Sequence, residues 1–204
     1  MDLTAGQRDA LVELLNIGFG RAAAALSQLT GQRVLLDVPQ VSIHGIQDLN
    51  KTLHTVLGDD VASVHQIFSG PVAGDALLVL DHKAAAMLKQ LLTDEPPLPL
   101  PLDATAREVL TEVGNILLNA CLGTFGNLLQ VQVSFSVPHL NLDTLHHLMQ
   151  SLLVNRVGVN YALVVRAAFR LRDAEVSGYI VIVLSVSSLA RLIQGAEDWE
   201  RRQP

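Results

Sequence analysis

Aromatic side chains are scarce: Phe, Tyr and Trp make up 4% of the 204 residues, so any core must be built from Leu, Val, Ile and Ala. Charge is thin as well, at 17%, with 14 Lys and Arg against 20 Asp and Glu and a net charge of -6. The few basic residues are scattered, which excludes a phosphate-backbone binder, a class that needs a basic face. A single cysteine, Cys121, excludes an internal disulfide and fits a reducing compartment. Met1-Asp2-Leu3-Thr4 offers neither the basic nor the apolar region of a secretory signal. No run approaches the roughly 18 uninterrupted apolar residues of a spanning helix. The most apolar stretch, Ile116 to Leu129, is broken by Asn119, Gly123, Thr124, Gly126 and Asn127. These gaps point to a cytoplasmic chain with no nucleic acid partner and no membrane insertion.

What is present is a repeat. Glu13, Asn16 and Pro39 recur as Glu112, Asn115 and Pro138: Glu, two residues, Asn, twenty-two residues, Pro. By average residue usage such a triplet starts about once in ten thousand positions. Two copies, each at the equivalent place in its own half, are not chance.

The elements around the motifs repeat too. Residues 4 to about 30 read as a helix capped by Thr4 and stopped by Gly31. Asp9, Glu13 and Asn16 lie at i, i+4 and i+7 on one stripe of it. Gly18 and Gly20 each cost about 1 kcal/mol inside a helix, which close approach to a sheet or second helix would offset. Val34 to Ile46 is β-like, interrupted at Pro39, and Leu49 to Leu57 reads as a short helix. Strands near Val61 to Phe68 and Ala76 to Leu80 precede a helix capped by Asp81 and running to about Leu92. Four prolines in Asp94 to Pro101 make a stiff connector.

The second half replays this order. A helix from Asp103 or Thr105 runs to Leu129, a strand covers Val131 to Val137, and a helix covers Leu142 to Leu153. A hairpin of Val159 to Leu171 and Val176 to Leu184 turns around Asp173, and a helix capped by Ser185 closes the copy before a frayed tail from Glu197. The expectation is an α+β, sandwich-like fold with a pseudo-two-fold internal repeat. Two long helices would pack on a shared, mainly antiparallel sheet, each half burying what the other cannot bury alone. The chain would be a single domain, 1–204, of two repeats, about 1–93 and 104–196, joined by a connector at 94–103.

A lone Glu and Asn on a helix stripe are usually just solvated. Asn is a mediocre helix former, however, and its repetition beside Glu in both halves is an odd choice for a passive surface. A carboxylate can pair with a cation, and an amide one turn on can align a water by donating and accepting hydrogen bonds. Neither is a nucleophile, so the pair would act on something a partner supplies.

On these residues the chain resembles the CheC/CheX/FliY phosphatases, which act on the phosphorylated chemotaxis response regulator CheY. Their pattern is Asp or Ser, three residues, Glu, two residues, Asn, twenty-two residues, Pro. Asp9, Glu13, Asn16 and Pro39 fit it in full. Asn16-Ile17-Gly18 and Ala22 to Ser27 are similar to the family's first helix, and Glu112 to Leu117 to its second. The second copy departs at the leading position, where Glu108 stands. Two motifs resemble CheC more than the one-site CheX, and the likeness covers nearly the whole chain.

The resemblance implies that Glu13 or Glu112 binds the receiver domain's active-site lysine. It implies that Asn16 or Asn115 orients the water attacking the aspartyl phosphate, with Pro39 and Pro138 shaping the sites. Mg2+ would belong to the receiver, leaving no metal or cofactor to this chain. The rival is a non-catalytic receiver-binding or flagellar-switch-type module. The sequence leaves open whether the chain pairs with itself or with a second chemotaxis protein such as the deamidase CheD.

Other motifs carry less. Gly18 to Ala23 matches the G-x-G-x-x-A dinucleotide fingerprint but follows no strand. His146 and His147 are adjacent, so on a helix they diverge by about 100°. The other five histidines are isolated in sequence, and Cys121 reads as core.

Overall fold

The computed structural model describes residues 3–93, 102–154, 160–171 and 174–201. The first half comprises α1 (Ala5–Thr30), β1 (Val34–Leu36), β2 (Gln40–Gly45), α2 (Ile46–His54), β3 (Asp60–Ser69), β4 (Gly74–Asp81) and α3 (His82–Thr93). The second comprises α4 (Ala104–Leu129), β5 (Ser134–Phe135), β6 (His139–Thr144), α5 (Leu145–Val154), β7 (Asn160–Leu171), β8 (Ala174–Ser185) and α6 (Val186–Glu200), in the same order. The Pro-rich connector, apart from Leu102 and Asp103, and the hairpin turn at Asp173 lie outside the described residues.

Local chemistry sets the long helices. The Gln7 amide donates to Thr4 Oγ1 at 3.2 Å while the Thr4 amide donates to Gln7 Oε1 at 2.9 Å, a reciprocal capping box. The Ala106 amide donates to Asp103 Oδ1 at 2.7 Å and opens α4. Both helices end in a left-handed residue: Gly31 at φ 66° and, at the matching place, Gln130 at φ 53°. By length and composition α1 and α4 could each cross a membrane. Their apolar residues, however, are the ones packed inward on the sheet.

The sheet has eight strands, ordered β1-β7-β8-β4-β3-β5, with β2 also on β7 and β6 also on β3, every pairing antiparallel. The halves are interlocked. Strands β1 and β2 of the first half pair with β7 of the second, and β5 and β6 of the second pair with β3 of the first. They meet at the centre where β4 pairs with β8, Gly74 opposite Leu184 through Val79 opposite Tyr179.

Both faces of the sheet are covered. Helices α1, α3, α4 and α6 share the larger core with Ala76, Leu78 and Leu80 of β4. Helices α2 and α5 share a smaller one with Leu77 and Val79. Strand β4 is therefore a continuous apolar run, as burial on both faces demands. Each such Leu or Val stabilises the fold by about 1.5–3 kcal/mol.

Glycines set how closely α4 sits. A Cβ on Gly18 would come within 3.1 Å of Cys121 Cα, so α1 and α4 meet backbone to backbone there. A Cβ on Gly114 would lie 2.5 Å from Val64 Cβ of β3. Gly20 has open space around it, so close approach explains Gly18 and not Gly20.

Three expectations need correction. Of the strand expected over 131–137 only β5, Ser134–Phe135, is formed, and a further strand, β6, follows it. His139 to Thr144 alternates polar and apolar residues and adds to β3, so α5 begins at Leu145 and not at Leu142. The tail from Glu197 is helical to Glu200, not frayed, because Gln7 Nε2 donates to Glu197 Oε1 at 2.7 Å and Trp199 packs on the core.

Candidate functional site

Helix α1 buries Ala10, Leu11, Leu14, Leu15, Gly18, Phe19, Ala22 and Leu26. Asp9, Glu13 and Asn16 fall on the opposite face and are exposed. None of these three side chains has a hydrogen-bond or ion-pair partner among the described residues. Pro39 is buried between β1 and β2. The Val34 amide donates to Ser27 Oγ at 3.0 Å as the chain turns back along α1. At about 3.3 Å per extended residue against 1.5 Å per helical one, five residues bring Pro39 roughly level with Asn16.

On α4, Glu108 and Glu112 are exposed, and Asn115 and Pro138 are half-buried. Glu108, Glu112 and Pro138 line one open cleft of about 650 Å3, together with Arg107, Thr111 and His139. Leu29 and Thr30 of α1 close it from the other side. The fold thus brings together in space what the sequence holds apart.

The two helices run antiparallel, Gly18 against Cys121, Leu14 and Ile17 near Leu128, and Leu29 near Val109 and Val113. At 1.5 Å per residue, Glu13 and Glu112 stand about 20 Å apart along the pair. The two motifs are therefore separate surfaces, not one composite site.

Each motif places two carboxylates at i and i+4: Asp9 with Glu13, and Glu108 with Glu112. Such a like-charge pair costs an isolated helix a few tenths of a kcal/mol. Among the described residues no basic side chain forms an ion pair with either pair of acids. The arrangement suits a cation arriving from outside, such as an ammonium group.

The amides differ. Asn16 is exposed and unbonded, whereas Asn115 Oδ1 accepts from Asn119 Nδ2 at 2.7 Å. Sequence reading missed Asn119, and its one available signal was the register of the repeat. The offset that maps Asn16 onto Asn115 maps Gly20 onto Asn119.

Gly18 to Ala23 lies mid-helix in α1, where no strand feeds a dinucleotide turn. Cys121 is fully buried, and loss of solvation pushes its thiol up to about 12, which makes it unreactive. His54, His65 and His147 each pair with one carboxylate, of Asp59, Asp75 and Asp143. Among the described residues no three of His, Cys, Asp and Glu converge.

The CheC-like family profile matches residues 7–43, the first motif from the start of its helix to β2. The chain is 29% identical over 142 residues to the CheY-P phosphatase CheC of Bacillus subtilis, covering 67% of this chain and 66% of that protein, just under two thirds of the relative's length. Among solved structures, Thermotoga maritima FliY superposes with a TM-score of 0.75 at 19% identity, each chain covered completely. The FliM middle domain from H. pylori gives 0.64 at 11% identity, covering 95% and 99%. The fold is therefore the two-repeat α+β fold of FliY and FliM. With the profile and the CheC likeness added, the chain is similar to the CheC/CheX/FliY family in sequence as well as in fold.

Proposed function

We propose that the protein is a cytoplasmic phosphatase that ends a chemotaxis signal by hydrolysing the aspartyl phosphate of a CheY-type response regulator. The observation that carries this reading is the pair of motifs whose exposed acids have no partner among the described residues and whose amides stand one turn away. The likeness to a CheY-P phosphatase supports it.

Glu13 and Glu112 hold the receiver's lysine by a charge-assisted hydrogen bond. Asn16 and Asn115 accept a proton-bearing edge of one water and turn its lone pair to the phosphorus. Water oxygen bonds to phosphorus, the phosphorus–oxygen bond to the aspartate breaks, and inorganic phosphate and a free carboxylate leave. No side chain of this protein becomes covalently attached. Positioning and electrostatics supply the acceleration, as where a glutamine aligns water in a GTPase. Mg2+ comes with the receiver. Pro39 and Pro138 fix the loop beside each helix, and Asp9 and Glu108 add negative potential. The interlocked halves work as one domain.

A second reading, a receiver-binding or flagellar-switch-type module without catalysis, draws on the likeness to FliY and FliM. Phosphate release from an acetyl-phosphate-loaded receiver, with and without this protein, separates the two. Faster release supports the phosphatase. Binding with unchanged release supports the module.

A further inference from the structure

The two amides are not equivalent, and the cause lies one turn beyond each. On a helix the side chain at i+4 leans back over the residue at i. Asn119 does so over Asn115: its Nδ2 reaches Asn115 Oδ1 at 2.7 Å, while its own Oδ1 is buried with no partner. Asn115 Oδ1 is drawn along α4 toward residue 119. Glu112 stands on the opposite side, at i-3. At the matching place on α1 the residue is Gly20, which has no side chain to reach Asn16, and nothing lies within 4 Å of where its Cβ would be.

To align a water for attack, the carboxamide oxygen has to face outward and accept one of its protons. Asn119 holds that oxygen along the helix, toward residue 119 and away from Glu112, and occupies one of its two lone pairs. We propose that Asn119 is a positioning residue that keeps the second amide withdrawn, so that the Glu112 site binds a phosphorylated receiver domain but turns it over more slowly than the Glu13 site. This rests on the phosphatase reading above. Both acids stay free to grip the receiver's lysine, so the difference falls on kcat and not on KM. The device also explains why a polar side chain with an orphaned oxygen is kept where a glycine serves the other half. Its partner is the amide, not solvent.

The full chain is assayed for phosphate release from an acetyl-phosphate-loaded receiver domain with Mg2+, one site silenced at a time. With the first site silenced by Asn16→Ala, Asn119→Ala should raise kcat about two- to tenfold, the range one amide bond supplies, at constant KM. With the second silenced by Asn115→Ala, Gly20→Asn should lower kcat by a similar factor, again at constant KM. A merely structural role for Asn119 would lower stability and activity together and leave no such split. An unchanged or reduced kcat for Asn119→Ala, in a protein whose parent is active, overturns the inference. A parent that releases no phosphate defeats the phosphatase reading instead, and the withdrawn pose is then judged by side-chain amide exchange. Slower exchange at Asn119 than at Asn16 upholds it, and equal exchange removes it.

Discussion

The two halves of this protein have the same elements in the same order, yet their motifs are finished differently. On α1, Asp9, Glu13 and Asn16 are exposed and have no partner among the described residues. On α4, Glu112 borders a cleft, and Asn115 is half-buried and tied to Asn119. The repeat keeps the exposed acid and the amide in both halves but not the residue one turn beyond the amide, Gly20 in one and Asn119 in the other. The packing diverges in the same way. Gly18 lets α1 touch α4 at Cys121, whereas Gly114 lets α4 settle onto Val64 of β3.

The largest effect should come from removing both amides. Asn16→Ala with Asn115→Ala is expected to lower phosphate release a hundredfold or more, the scale of losing a group that positions the reactant. Circular dichroism should stay unchanged, because Asn16 is exposed, Asn115 is only half-buried, and alanine favours a helix more than asparagine does. Substantial release by the double variant would refute the amides' role. Next in size are the acids. Glu13→Lys and Glu112→Lys set like charge against the receiver's lysine, and each should weaken receiver binding at its own site about tenfold. A titration that overlays the parent's would count against that contact.

Much of this was legible in the chain because it is local. The caps at Thr4, Asp103 and Ser185 and the helix opened by Asp81 rest on one side chain and a backbone amide a few residues away, and the stop at Gly31 on a left-handed backbone that glycine adopts freely. The exposed stripe of α1 followed from helical spacing alone. The exchange of β1 and β2 onto β7, and of β5 and β6 onto β3, did not follow. Strand partners far apart in sequence leave no local trace. Strand β6 was missed because Leu142, Leu145 and Leu148 also fit a helical spacing that competes with the alternation from His139 to Thr144. Asn119 looked like a polar break in an apolar helix, and its contact with Asn115 needed coordinates.

The packing difference can be tested through stability. Gly114→Ala forces a methyl against Val64, a β-branched residue on a central strand that cannot swing aside. It should destabilise the protein by about 1–3 kcal/mol, read as a lower denaturation midpoint. The buried thiol gives a further contrast, since Cys121 occupies the place of Ala22 in the other half. Burial moves it from an ordinary 9.0 to about 12. Below pH 9 both folded and unfolded chains hold the proton, and the thiol's contribution is complete. As pH rises from 9 toward 12 the unfolded chain releases the proton first, so stability falls. Cys121→Ala should lack that alkaline component, and a parent and variant with parallel pH profiles would contradict the desolvation.

The smallest expected effect separates two glycines only two positions apart. Gly18 and Gly20 share α1, and neither has a positive φ, so both lie in ordinary helical backbone. Around Gly20 the space is open, and Ala there should raise stability by about 0.4–1 kcal/mol, because Ala loses less freedom on folding. Gly18→Ala brings the same propensity gain but drives its methyl to 3.1 Å from Cys121 Cα and 3.2 Å from the Ala120 carbonyl oxygen. Backbone cannot rotate away as a side chain can, so the net effect there should be a loss. Denaturant midpoints that rise for Gly20→Ala and fall for Gly18→Ala would locate the helix contact at one turn of α1. If both rise, α1 and α4 are farther apart than the structure has them. Gly20→Ala is also the control for Gly20→Asn, because it changes the helix at that point without adding an amide that could reach Asn16.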